Sequence, residues 1–183
     1  KANAYGHGVI PVSRTLLGAG ADWLAVALPE EGAELRSAGF RVPILVLGLL
    51  FPEQLPTAID HELTVTVSSL DTLNAFNAIA LAKKSRIRVM IKIDTGMGRI
   101  GVLPEAAAEI VRLSSTLPGI EVVGTFTHFA AADEPDSSFS LFQLAKLEET
   151  LCTLRKQQIL PQGPIRQENH RPAGRAEAPF CQD

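Results

Sequence analysis

The sequence predicts an α/β fold built on a parallel sheet. Two observations carry that prediction. Short, almost continuously apolar runs begin near residues 22, 43, 63, 88 and 120, and a helical stretch separates each from the next. Strands covered on both faces read as unbroken apolar runs in this way, and strand-helix alternation brings right-handed crossovers. The unusual polar residues also gather just past the C-terminal ends of these runs, at 1–8, 94–101 and 128–136. Two closures satisfy the pattern: a doubly wound open sheet or a (β/α)8 barrel, since both use that edge for chemistry. No GxGxxG follows the first strand, which argues against a dinucleotide site.

The elements follow in order. VIPVSRTLLGAG (9–20) has apolar residues at Val9, Val12, Leu16 and Leu17 and closes on glycine, which predicts a helix. ADWLAVA (21–27) is a strand. PEEGAELRSAG (29–39) opens on proline and two acids and ends on glycine, the helix signals in their proper order. VPILVLG (42–48) is a buried strand, PEQLPTAID (52–60) a proline-interrupted helix, and LTVTV (63–67) a β-branched strand. A helix over 69–84 is capped by Ser68 or Ser69 and ends in lysines. RVMIKID (88–94) is a strand, 103–119 a helix entered by proline, and IEVVGTFTHF (120–129) a strand. An amphipathic helix over 137–158 is expected to turn Phe139, Phe142, Leu147, Leu151 and Leu154 inward. Beyond about Gln162 periodicity stops, so 1–162 reads as the folded domain and 163–183 as an irregular tail.

Composition narrows the class. Of 183 residues, 46% are hydrophobic and 20% charged, with net charge −3. That balance offers nucleic acid no basic footprint and a membrane no polybasic anchor. The apolar runs fall short of the ~20 residues a membrane span needs. Cys152 and Cys181 have neither redox nor metal-site spacing, which fits a reducing cytoplasm, and they read as incidental.

Three clusters could carry chemistry. In KANAYGHG (1–8), Lys1 is followed within one tight turn by Tyr5 and His7. Gly6 and Gly8 permit a sharp bend, and the helix at 9–20 starts immediately after, with N–H groups suited to an anion. An amine beside an anion site suits a phosphorylated aldehyde held through nitrogen. In IKIDTGMGRIGV (91–102), Gly96, Gly98 and Gly101 surround Arg99. Lys92 lies in an apolar run, where a cation is costly, and period-two spacing makes an ion pair to Asp94 the simplest reading. In THFAAADEPD (127–136), His128 ends a strand, and Asp133, Glu134 and Asp136 read as a solvated loop and helix cap, not as a metal site.

Together these stretches resemble alanine racemase, a fold-type III family that uses pyridoxal phosphate (PLP). KANAYGHG resembles its PLP-lysine motif, and KIDTGMGRIGV and THFAAADEPD its next two signatures, in family order. The resemblance covers roughly residues 1–160. It implies an incomplete TIM-type (β/α)8 barrel with about five of the eight strands. It implies an isomerase that interconverts L- and D-alanine, a supply of D-alanine for peptidoglycan, in a cytoplasmic homodimer. Lys1 would hold the cofactor and act as one of two bases. Tyr5 would bond its phosphate, Arg99 would lie near its phenolic oxygen and the substrate carboxylate, and His128 would sit near the pyridine. The position of Lys92 is carbamylated in many members, which would pair it with Arg99 instead of Asp94.

The departures matter as well. The strand before the lysine, the family's His-x-Ala-Asn-Ser motif and the C-terminal β domain with its tyrosine base have no counterpart here. The stretch PIRQENHRPAGRAEAPFCQD after Gly163 is expected to reflect a frame change, and the chain to be an inactive piece of a longer enzyme. The alternatives are a serine or broad-specificity amino-acid racemase, a fold-type III amino-acid decarboxylase or single-domain PLP-binding protein, and a non-catalytic PLP-binding remnant.

Overall fold

A computed structural model describes residues 2–159. Five strands form one sheet in chain order, every pair parallel. They are β1 (Leu24–Val26), β2 (Ile44–Leu49), β3 (Thr64–Val67), β4 (Ile87–Lys92) and β5 (Ile120–Phe126). The helices are α2 (Val9–Gly18), α3 (Pro29–Ser37), α4 (Leu55–Asp60, after a 3-10 turn at Pro52–Gln54), α5 (Leu70–Ala82), α6 (Pro104–Ser114) and α7 (Ser138–Lys156). The short segment Ala2–Tyr5 (α1) is a left-handed turn, treated below. The sheet is open, so the five-stranded partial barrel expected from sequence is what the structure holds.

Alternation along the strands sorts side chains between two layers. Val46, Val65, Val67, Val89 and Ile91 join the main core with Leu35, Leu55, Leu73, Phe76, Ile110, Leu147 and Leu151 from the helices. The opposite face carries a smaller cluster of Leu45, Met90 and Phe126, ringed by Trp23, Leu47 and Val123. Lys92 follows Met90 by two residues and therefore continues that second face.

Arginines tie the amino edge of the sheet, Arg36 most extensively. Arg36 of α3 donates through Nε to the His61 carbonyl (2.9 Å) and through Nη1 to those of Phe40 (3.0 Å) and Val42 (2.8 Å). Its Nη2 reaches Glu62 O at 3.2 Å. Burial, with Arg88 nearby, holds the Arg36 pKa below its usual value.

Ser69 caps α5 by accepting from the Thr72 N–H (3.2 Å). The expected inward face of α7 needs correction. Leu147, Leu151 and Leu154 are buried, but Phe139 and Phe142 are 42% and 49% exposed and stack on each other, with centroids 5.9 Å apart. The inward position at that end of the helix belongs to Gln143, which is 0% exposed. Cys152 is half-buried on α7 and is not a free thiol, which corrects the incidental reading; Cys181 lies outside the described residues. Among the described residues, no helix is long and apolar enough to cross a membrane, and no cluster of ligating side chains could hold a metal.

Candidate active site

The predicted clusters share the carboxyl edge of the sheet. The first stands at the end of β1. Asn3, Ala4 and Tyr5 have φ of 56°, 53° and 56°, three successive non-glycine residues in the left-handed region. Each such residue costs about 1–2 kcal/mol, less for asparagine, so the turn stores strain of a kind found at functional sites. Local bonds hold it. The Asn3 carbonyl accepts from Gly6 N (3.1 Å) and Gly8 N (3.0 Å), and His7 N donates to Ala4 O (3.1 Å). The Glu31 carboxylate then fastens the turn to the β1–α3 junction, accepting from Asn3 N (3.3 Å), Ala27 N (2.8 Å) and Leu28 N (3.2 Å). Burial pushes the Glu31 pKa up, but hydrogen bonds outweigh it and hold the carboxyl at about 2.

Tyr5 emerges from this turn 74% exposed, above the edge. Lys1 lies outside the described residues. The anion site expected at the start of α2 has fewer donors than the sequence suggests. Val9 N donates to Asn3 Oδ1 at 2.7 Å, and Pro11 has no N–H.

The second cluster is a closed loop. Beyond β4, Val102 returns to bridge Ile93, with Asp94 N bonded to Val102 O (2.8 Å) and Val102 N to Lys92 O (2.9 Å). Inside the loop, Asp94 Oδ1 accepts from Gly96 N (3.0 Å) and Gly98 N (3.1 Å), and Oδ2 from Arg99 N (3.0 Å). Burial works upward on the Asp94 pKa, but these donors and the Met97 N–H prevail and hold it below the ordinary carboxylate range. The expected ion pair between Lys92 and Asp94 is therefore corrected: period two ends with the strand, and the carboxylate turns into its own loop. Lys92 is 4% exposed, and its Nζ lies 5.7 Å from the centroid of the Phe126 ring, its register partner on β5. Arg99 stands exposed on the loop.

The third cluster continues β5. His128 is half-buried two residues past the strand. A buried polar chain joins it to the Arg99 loop. Thr127 Oγ1 donates to Ile93 O (2.8 Å), Thr95 and Thr127 share a hydroxyl bond of 2.8 Å, and Gln143 Nε2 donates to Thr95 Oγ1 (3.3 Å). The same Nε2 donates to His128 O (3.1 Å), and Gln143 Oε1 accepts from Ala130 N (2.8 Å). The exposed acids of this segment behave as a solvated loop and cap: Asp136 Oδ1 accepts from Ser138 N at the start of α7 (2.9 Å).

The resemblance carried by these clusters holds when the chain is compared with known proteins. A family model described as alanine racemase, N-terminal domain, matches residues 1–167. The chain belongs to the alanine racemase family. It is 47% identical over 159 residues to an alanine racemase of Halothermothrix orenii, covering 87% of this chain and 42% of that protein. It is 42% identical over 160 residues to one of Methanococcus maripaludis, covering 87% of this chain and 43% of the relative. The chain thus spans less than half the length of these curated relatives. In solved structures it superposes on Clostridium difficile 630 alanine racemase in complex with cycloserine, with TM-score 0.85 and 35% identity, over 91% of this chain and 46% of that one. The alanine racemase of Bacillus anthracis with bound L-Ala-P gives TM-score 0.80 and 35% identity, over 90% and 42%.

Tyr5, Lys92, Arg99 and His128 therefore stand at the carboxyl edge of an alanine racemase N-terminal barrel segment, on or directly after separate turns and strand ends. Sequence reading missed the groups that hold them: Asn3, Glu31, Thr95, Thr127 and Gln143. Of these, Glu31 carried a usable signal, an acid three residues past the Leu28 cap of α3 that can reach back to the N–H groups before the helix.

Proposed function

We propose that this chain supplies the cofactor-holding part of an enzyme that interconverts L- and D-alanine with PLP. The observation that carries the reading is the gathering of three family motifs on one sheet edge. Their side chains fit the cofactor chemically: an amine for its aldehyde, a phenol and strained turn for its phosphate, and a guanidinium and imidazole for its ring and the substrate carboxylate. With the cofactor bound, the electron pair left at Cα when its proton departs is taken up by the pyridine ring, which no side chain can do.

The protein residues supply binding and proton transfer. Lys1 would hold the cofactor through its amine and would serve as the base for the Cα proton on one face. The Tyr5 hydroxyl donates to phosphate. Arg99 binds the substrate carboxylate through a two-pronged donor, on a loop whose backbone Asp94 fixes. His128 would stack on or near the pyridine face. Lys92, on the face it shares with Met90, would pair with Arg99 as a carbamate if its neutral amine takes up carbon dioxide and loses a proton. Residues 1–162 form the barrel segment in this reading. The base for the opposite face, a second copy of the enzyme and use of the product in peptidoglycan belong to the full-length reading of the family.

The test is to mix the chain with PLP, reduce with borohydride and map the modified lysine by mass spectrometry. Label on Lys1 that disappears in Lys1→Ala is expected. Label spread evenly over Lys83, Lys84, Lys146 and Lys156 would overturn the assignment. Offering L-alanine and L-serine separately to the full-length enzyme then separates alanine from broader racemisation.

A further inference from the structure

We propose that Gln143 is a positioning residue that holds the Arg99 loop and the His128 strand end in fixed relation. The inference rests on the PLP reading for its purpose, but its geometry stands apart from it. Gln143 is fully buried although its helix neighbours Phe139 and Phe142 are exposed. Both of its N–H donors are used, on Thr95 Oγ1 and His128 O, and its oxygen accepts from Ala130 N. A carbonyl on one side and an N–H on the other leave the amide one orientation.

The hydroxyl protons are ordered by the same logic. Thr127 spends its single proton on the Ile93 carbonyl, so the proton between the two threonines comes from Thr95. Thr95 in turn accepts from Gln143. One side chain of α7 thereby sets a directed chain running through the base of the Arg99 loop to the backbone at the end of β4. Its other two bonds grip the backbone on either side of Phe129, just past the β5 end. A half-satisfied buried network would be worse than none, so replacing any member is felt by the rest. Packing reinforces the arrangement. A Cβ on Gly96 would lie 3.2 Å from Phe139 Cζ and 3.4 Å from Gln143 Cγ, so the loop is seated directly on α7.

Amide hydrogen exchange by NMR on the full 183-residue chain tests this. Gln143→Leu keeps bulk and removes all three bonds. It is expected to speed exchange at Ala130 and at Gly98 and Arg99 by about tenfold, the factor set by losing roughly one net hydrogen bond. Val65 and Val67 in β3 are expected to stay unchanged. A second pair keeps the test decisive if that variant does not fold. Thr95→Val keeps volume and loses the hydroxyl; Thr95→Ser keeps the hydroxyl and loses a methyl.

Thr95→Val is expected to speed exchange at Ala130, on the other element, severalfold, while Thr95→Ser leaves it as in wild type. A purely packing role predicts the reverse order. The proposal is overturned if Ala130 is unmoved by Thr95→Val, or if Thr95→Ser is the more damaging change. Addition of PLP is a separate arm. A wild-type chain that shows this exchange pattern but takes no label at Lys1 removes the functional reading and leaves the Gln143 coupling intact.

Discussion

Gly101→Ala is expected to disturb the carboxyl edge strongly. Gly101 has φ of +141°, a region that residues with a Cβ rarely occupy. A Cβ there would lie 2.6 Å from Asp94 N, 2.9 Å from Asp94 Cβ and 3.0 Å from Ile93 C. All three atoms belong to the continuation of β4, so no flexible side-chain end can yield. Relief requires moving the backbone by several tenths of an ångström. That breaks the Asp94 N to Val102 O bond, worth about 1 kcal/mol net, and leaves the backbone strain, about 1–3 kcal/mol. The sum is about 2–4 kcal/mol. With a urea slope of about 2 kcal/mol per molar, the unfolding midpoint falls by about 1–2 M.

Gly98→Ala is the internal control. Its φ is +68° and nothing lies within 4 Å of the added Cβ, so only the backbone term of about 1 kcal/mol remains, a midpoint shift of about 0.5 M. Urea unfolding followed by circular dichroism, with amide spectra of Gly96 and Arg99, measures both variants. Equal losses for the two would refute the claim that backbone contact with Asp94, and not positive φ alone, makes residue 101 glycine.

Other predictions concern the supports. Arg36→Lys is expected to lower stability by about 1–3 kcal/mol, because one ammonium cannot span four carbonyls at the amino edge; thermal unfolding reads this directly. Both Asp94 and Glu31 have folded pKa values below their ordinary ones, so each stabilises its turn at higher pH and loses that effect as pH falls. For Glu31 the loss runs from about 4.5 down toward about 2, seen as movement of the Ala27 and Leu28 amide signals, and Glu31→Gln is expected to abolish that acid transition. For Asp94 it begins below 3.8, and the Gly98 and Arg99 amides report it.

The strands were legible because an apolar run bounded by turns states its own limits. Expected starts near 22, 43, 63, 88 and 120 correspond to Leu24, Ile44, Thr64, Ile87 and Ile120. The motifs were legible as residue types, and the topology explains why they meet: parallel strands all deliver their next residues to one edge. What failed was reasoning from spacing where regular structure ends. Lys92 and Asp94 alternate like strand residues, but β4 stops at Lys92 and the next carboxylate serves its loop. The left-handed turn was hidden because propensities weigh residues singly, whereas Ala4 and Tyr5 are held there by bonds from Gly6, His7 and Gly8 and by the Glu31 anchor beside them. Gln143 was passed over because a lone amide on a helix ordinarily faces water; its burial is decided by two loops distant in sequence.

The order of strands in the sheet is the order of synthesis. Each described strand from β2 onward pairs with the one completed just before it. A nascent chain leaving the ribosome can therefore add one strand and its covering helix at a time, each loop closure spanning only the crossover just made. The polar chain through Thr95, Thr127 and Gln143 is the exception. It joins only when α7 has emerged, so the loop bearing Arg99 acquires this support after the five described strands have been made.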